Sequence, residues 1–209
     1  SLVGESGSFV GSAQVGDGLA GTVSTVAPGA SADGDAAVQL EGGAFVEVPF
    51  ATELNTPAFT VEAWVRIDGS LFQDQPVVSS FDYSDATKYQ GYYLRCFSLE
   101  DEEGASTPCQ WEFGVATSSG GDSSVTILSK VTSQMAPQVG EWVHLAGSAG
   151  SGELTLRVTQ GEQSDVAVQP LSVSVDDGAA SVFSVSVNTQ MPFLIGAGPA
   201  QPILRSYFN

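Results

Sequence analysis

Strict two-residue alternation of side-chain character is the sequence feature that most constrains this fold. Residues 59–67 contain two interleaved sets of side chains, the apolar Val61, Ala63, Val65 and Ile67 and the second set Thr60, Glu62, Trp64 and Arg66. A period of two places successive side chains on opposite faces of a β-strand. The segment therefore predicts a strand with one face to bury.

Similar alternation recurs along the chain between Gly, Asp, Ser or Pro residues. The further segments that predict strands are 44–48, 77–81, 92–97, 111–115, 125–128, 142–146, 154–158 and 193–195. No segment sustains the spacing of three and four residues that is typical of a helix. About a dozen short strands, each with one apolar face, predict an all-β, antiparallel two-sheet β-sandwich of the jelly-roll type.

The charge of the chain excludes several classes of partner. It carries 24 acidic and 6 basic side chains, a net charge of −18. Binding to nucleic acid or to an anionic membrane surface depends on clustered Lys and Arg, which are missing here. No apolar run reaches the roughly 18 residues needed to span a bilayer, so no membrane insertion is expected. Residues 1–5 lack the features of a signal peptide, which is expected to be absent or already removed.

The length of the chain favours a single domain. All-β sandwiches commonly reach about 200 residues as one unit. No internal composition change marks a boundary with enough chain on both sides for two cores. Residues 1–209 are therefore expected to form one domain.

The order of the strand segments resembles the laminin-G-like jelly roll, a branch of the concanavalin A-like lectin/glucanase fold. The blocks that carry the resemblance are 37–49, 59–65, 140–147, 154–158 and 193–198, and residues 16–23 are similar to the family's opening Gly-Asn-Gly turn. The family usually ends in an aromatic-x-Gly-x-Ile-Asp-Glu-Val strand, whereas this chain ends at Tyr207-Phe208-Asn209. Either the closing strand is trimmed or a neighbouring chain supplies it at the C-terminal edge.

Catalysis is not expected. Hydrolases of the wider fold use paired carboxylates on one strand, and neither Glu-x-Asp-x-x-Glu nor Glu-x-Asp-x-Glu occurs here. His144 is the single histidine and lies in a predicted strand, where a structural role is expected. No Gly-x-Ser-x-Gly motif accompanies it.

Cys96 and Cys109 end one predicted strand and begin the next. A hairpin would place them opposite each other, which predicts a disulfide and an oxidising compartment, so the protein is expected to be secreted or on the cell surface. The alternative is a pair of reduced core cysteines.

The loop between these cysteines contains Glu100, Asp101, Glu102 and Glu103. Clustered carboxylates supply the hard oxygen ligands that Ca²⁺ prefers. The alternative is a solvated acidic loop. The family resemblance separately implies a structural calcium near the opening segment, where Asp17 lies.

An aromatic segment precedes and begins the predicted strand 92–97. Lectins stack aromatic rings on sugars beside polar groups, so a sugar site is predicted at Asp82, Tyr83, Asp85, Tyr89, Gln90 and Tyr93. Because Tyr92 and Tyr93 point to opposite faces, one of them is expected to be exposed. Tyr93 is expected to be the exposed one. The alternative is that these rings cover the sheet edge. Trp64, Trp111 and Trp142 lie in predicted strands and are expected in the core.

These features together predict a non-catalytic extracellular binding or adhesion module that recognises carbohydrate, with Ca²⁺ as a structural ion. The alternative is a structural or protein-interaction domain of a surface or virion assembly. The expected partners are a glycan or a surface protein, with a neighbouring chain at the C-terminal edge.

Overall fold

The computed structural model describes residues 14–15, 22–25, 36–40, 45–71, 74–82, 89–98, 107–119, 126–174 and 180–197. Their strands are β1 (Gln14–Val15), β2 (Thr22–Thr25), β3 (Ala36–Gln39), β4 (Val46–Val48), β5 (Phe59–Arg66), β6 (Gln75–Asp82), β7 (Gln90–Phe97), β8 (Gln110–Ser119), β9 (Thr126–Thr132), β10 (Trp142–Gly150), β11 (Glu153–Gln160), β12 (Gln163–Pro170), β13 (Ser172–Ser174), β14 (Ala180–Val185) and β15 (Phe193–Ile195). A short 3-10 turn covers Thr52–Leu54. The described part of the chain contains no helix long and apolar enough to cross a membrane.

The strands form a large sheet, a small sheet and the separate pair β2–β3. The large sheet has the order β1-β4-β15-β6-β7-β8-β14-β13, with β9 also paired to β8. Strand β8 is longer than its neighbour β7, so β14 takes over the same edge of β8 at Thr117–Ser119, where β7 has ended. Strand β9 pairs with the other edge of β8.

The small sheet has the order β12-β11-β10-β5, and all its pairs are antiparallel. Strands β10 and β11 alternate as two-sided strands should. Leu145 and Leu156 are fully buried, whereas the next residues along each strand, Ala146 and Arg157, are not. The inner faces of the two sheets pack together around a shared core that includes Leu94, Phe113, Val115, Leu145, Leu154 and Val158.

The two sheets approach closely at Gly147 on β10. The Phe113 ring of β8 lies over this glycine, and an added Cβ would meet the ring at 2.6 Å. A side chain at residue 147 would therefore push the sheets apart. The expected two-sheet, antiparallel all-β architecture is confirmed.

Candidate functional site

The outer face of the small sheet is the side of its four strands that points away from the core. Cross-strand register sorts its side chains into rows. The rows, written from β5 to β12, are Trp64–His144–Thr159–Ser164, Glu62–Ala146–Arg157–Val166 and Thr60–Ser148–Thr155–Val168, preceded by the pair Arg66–Trp142. Neighbouring strands lie about 4.8 Å apart, so each four-residue row is about 14 Å wide.

Three aromatic side chains lie together at the β5–β10 end of this face, and we call Trp64, Trp142 and His144 the aromatic patch. Trp64 is 50% exposed. Its indole lies 5.0 Å from the His144 ring, centroid to centroid, with the planes tilted by 42°. Trp142 lies under the Arg66 guanidinium at 5.3 Å. The patch therefore offers an exposed indole face with two further rings beside it.

Polar groups border the aromatic patch. The Glu62 carboxylate lies 3.6 Å from His144 Nε2 and is largely exposed. Arg66 is held by Asp68, to which its Nη2 donates a hydrogen bond of 2.9 Å. Hydrogen-bonding groups beside an exposed aromatic face are the combination with which proteins hold amphipathic ligands such as sugars.

The outer face of the large sheet differs because its aromatic residues Phe81 and Tyr93 are buried. Phe81, Tyr93 and Ala116 form a small hydrophobic cluster there, with Tyr89 and Leu128 packed against it. Glu112 lies beside this cluster with only 2% of its side chain exposed. Among the described residues, the outer face of the small sheet is therefore where a large aromatic side chain meets solvent.

Glu112 is the centre of a buried charge network. Tyr93 Oη donates to Glu112 at 2.9 Å, Arg95 Nη2 donates to it at 2.7 Å, and Lys130 Nζ lies 3.1 Å away. Burial alone would raise the pKa of Glu112, but the charge of Arg95 and the hydrogen bonds from Arg95, Tyr93 and Lys130 hold this pKa below its usual value. Glu112 is therefore a paired structural anion.

The exposure predicted for Tyr93 is wrong. Its side chain points to the outer face of the large sheet, as alternation requires, but it is 1% exposed. The ring packs edge-on against Phe81 at 5.6 Å and under the Arg95 guanidinium at 4.7 Å. Tyr92, on the other face, is also buried, and its hydroxyl donates to the Leu54 carbonyl. Burial keeps a sugar ring from stacking on either tyrosine.

The other residues of the predicted sugar site fall into two groups. Asp82 is buried and accepts a hydrogen bond of 2.9 Å from Gln190 Nε2. Gln90 accepts a bond of 3.1 Å from Thr189 Oγ1, and Tyr89 packs against Phe81. Tyr83 and Asp85 lie outside the described residues. The structure thus gives Asp82 and Gln90 intramolecular partners, and a ligand role for the segment stays a prediction.

Trp64 was predicted to lie in the core, and this is wrong. The signal that could have found it was in the sequence, since alternation places Trp64 with Thr60, Glu62 and Arg66 and opposite Val65 and Ile67. A large indole is usually buried, but at residue 64 the period of two gives the correct face. Trp111 is buried as expected, and Trp142 is half-buried.

The predicted disulfide between Cys96 and Cys109 is confirmed, and it joins β7 to the start of β8 with both cysteines fully buried. The proposed calcium ligands Glu100, Asp101, Glu102, Glu103 and Asp17 lie outside the described residues. Within the described ranges, no three His, Cys, Asp or Glu side chains are grouped as a metal site. Calcium binding stays a prediction.

Comparison with known proteins places the chain in a family. Residues 40–201 match the Laminin_G_3 family model, described as the concanavalin A-like lectin/glucanases superfamily. This match covers most of the chain and includes the small sheet and most of the large one. No curated protein matches the chain. Laminin-G-like domains are generally binding modules rather than catalysts. On its fold and on this match, the chain belongs to the concanavalin A-like lectin/glucanases superfamily.

Proposed function

We propose that this protein is an extracellular, non-catalytic carbohydrate-binding module that holds its glycan on the outer face of the small sheet. The observation that carries the proposal is the half-exposed Trp64 indole, next to His144 and Glu62. Pyranose rings present C–H groups that pack on an aromatic face, while their hydroxyls need polar partners at its edge. The Trp64 indole supplies the aromatic face, and His144 and Glu62 supply polar groups beside it.

The carboxylates of this face support binding rather than hydrolysis. Glycoside hydrolysis uses two carboxyl groups about 5–9.5 Å apart. The outward-facing carboxylates of the four strands, Glu62 and Glu153, lie two strands and two rows apart by register. Standard sheet spacings put the backbones of Glu62 and Glu153 about 16 Å apart. A backbone separation of this size does not favour the close pair of carboxyl groups that the mechanism uses.

The disulfide supports an extracellular location. Disulfides form and persist in oxidising compartments. The same bond closes the base of the loop that carries Glu100 to Glu103, for which we propose a calcium ion bound by carboxylate oxygens. Calcium in this loop would stiffen a segment adjacent to β7 and β8. We propose it as a structural ion.

A glycan array tests the proposal, with the wild type and two variants in millimolar calcium and in chelator. Trp64→Ala should abolish binding, since it removes the stacking surface. Val168→Ala is the matched control, because Val168 is a similarly exposed apolar residue at the far edge of the same face, and it should leave binding unchanged. Wild-type binding that survives in Trp64→Ala would contradict this site.

A wild-type protein that binds no glycan in either condition would contradict the carbohydrate proposal. It would favour a protein-interaction domain, for which strand β12 is the specific observation. This strand is at an edge of the small sheet as described, and its Val166 and Val168 are 47% and 52% exposed. Exposed edge strands with apolar side chains are sites where another chain can pair.

A further inference from the structure

We propose that the bound sugar carries a carboxylate, as in a uronic or sialic acid, and that Arg157 binds this carboxylate and sets the specificity of the site. The proposal rests on the proposed function, since it concerns the same face. The proposal adds the chemical class of the sugar and names a residue, Arg157, that lies outside the aromatic patch.

The first observation is the pairing of the basic side chains. The structure describes Arg66, Arg95, Lys130 and Arg157. Arg66 pairs with Asp68, and Arg95 and Lys130 both pair with Glu112. Of these four described cations, Arg157 alone forms no ion pair with a described residue. The chain has 24 acidic side chains and 6 basic ones, so an exposed guanidinium with no carboxylate partner among the described residues stands out.

The second observation is where Arg157 lies. It is exposed and occupies the row Glu62–Ala146–Arg157 on the outer face. Ala146 has a small side chain, so the floor between Glu62 and Arg157 is open. These two charged residues are two strands apart, about 10 Å between backbones. The Trp64–His144 pair lies in the adjacent row, so an aromatic wall borders this floor.

The chemistry of this floor fits one monosaccharide with an acidic group. A guanidinium presents a planar fork of donors that matches a carboxylate in a bidentate arrangement. Glu62, at the other end of the row, accepts hydrogen bonds and therefore suits sugar hydroxyls. A ring above Ala146 would reach Arg157 with its carboxylate, Glu62 with a hydroxyl and the aromatic patch with an apolar face.

The net charge of the chain narrows the class of glycan further. The described part of this face offers one unpaired guanidinium rather than a basic cluster, and the strongly negative chain repels densely charged polyanions. A heavily sulfated glycan therefore fits the face poorly. A single carboxylate meets the guanidinium at short range, where screening by physiological salt over about 8 Å matters less.

The test is isothermal titration of the full chain at physiological salt with two matched ligand pairs. Trigalacturonate and sialyllactose are each compared with their own methyl ester, so that the members of each pair differ in carboxylate charge. The wild type should prefer the acidic member of at least one pair by about tenfold or more, as a charged hydrogen bond implies. Which pair shows the preference distinguishes a uronic from a sialic acid.

Three variants test whether Arg157 causes the preference for the acidic member of a pair. Arg157→Gln should remove it while leaving the weaker binding of the neutral member. Lys130→Gln is the matched control, because Lys130 is an exposed cation on the large sheet, away from this face, and it should keep the preference. Trp64→Ala should lose both members of the pair.

The outcomes separate the two proposals. Equal binding of acidic and neutral members, or an acid preference that survives Arg157→Gln, would overturn the carboxylate proposal while the carbohydrate function stands. If neither pair binds but neutral glycans on the array bind through Trp64, the carboxylate proposal is likewise overturned and the carbohydrate function stands. Failure of every glycan, on the array and in titration, would overturn both proposals.

Discussion

Tyr93 donates a hydrogen bond of 2.9 Å to the buried carboxylate of Glu112, across neighbouring strands on the outer face of the large sheet. The same carboxylate oxygen receives Arg95 at 2.7 Å. A hydroxyl and a guanidinium thus share one acceptor that is almost fully withdrawn from water. This arrangement makes the stability of the large sheet depend on the charge of one residue.

Glu112→Gln should lower the free energy of unfolding by about 3 kcal/mol. The substitution leaves the part-buried Arg95 without its main counter-ion, and breaking a buried pair typically costs about 3–5 kcal/mol. The lower end applies because Asp74 remains 3.7 Å from Arg95. Urea unfolding at neutral pH measures the change. The control Glu62→Gln, at an exposed carboxylate, should change the free energy of unfolding by less than about 0.5 kcal/mol. Equal effects of Glu112→Gln and Glu62→Gln would contradict the network.

The pH dependence of stability follows from the same residue. The folded pKa of Glu112 lies below its usual 4.5, so its stabilising contribution is complete above that pH and is lost as the pH falls through the folded value. Asp165, whose pKa is lowered by hydrogen bonds from Ser133 and nearby backbone amides, acts in the same direction. Wild-type stability should decline below about pH 4.5, and Glu112→Gln should show a shallower decline. If the wild type and Glu112→Gln lost stability in parallel as the pH falls, the assignment of this pH dependence to Glu112 would be contradicted.

Removing the disulfide should destabilise the protein by about 3 kcal/mol. Cys96 and Cys109 are 13 residues apart, and the chain-entropy model assigns about that value to a loop of this size. The Cys96→Ser/Cys109→Ser double variant should therefore melt several degrees lower than the oxidised wild type. Treating the wild type with reductant under denaturing conditions and refolding it in reductant should match the variant. Identical melting of the variant and the oxidised protein would contradict a stabilising role.

Gly147→Ala should cost about 1–3 kcal/mol, as overpacking does in well-packed cores. The new methyl would lie 2.6 Å from a ring carbon of Phe113, so the sheets must separate or the ring must move. A double-mutant cycle with Phe113→Leu provides the control. The double variant should lose less than the sum of the two single changes, because the smaller side chain makes room. Strict additivity would show that the two residues are not in contact.

Calcium removal tests the proposed ion in the disulfide-closed loop. A ligand that binds only the folded state raises its stability, so chelation should lower the melting temperature and added calcium should restore it. Magnesium at equal concentration should not restore it, because Mg²⁺ requires a smaller and more regular site. A melting temperature that is unchanged by chelator and by calcium would remove the ion from the account.

The fold was predictable because alternation acts locally and repeats. Residues 59–67 carried the period of two without interruption, and β5 forms there. The cysteine pair was predictable for the same reason, since Cys96 and Cys109 flank one hairpin loop. These features depend on residues close together in the sequence.

The site was less predictable because it depends on register and on what covers each face. Alternation places Tyr93 and Trp64 on outer faces of their sheets, but it does not say that the first face is buried and the second open. The row Glu62–Ala146–Arg157 joins three strands, and only the register of β5, β10 and β11 brings these residues together. Sequence spacing alone cannot supply that alignment.

The central claim is that a sugar ring packs on Trp64, and the NMR signals of the tryptophan indole N–H groups test it most directly. The chain has three tryptophans, so the spectrum is simple, and Trp64→Phe assigns the relevant signal. On titration with the tightest-binding glycan of the array, the Trp64 signal should shift progressively while the signal of buried Trp111 stays fixed. A Trp64 signal that does not move at saturating glycan would contradict the account.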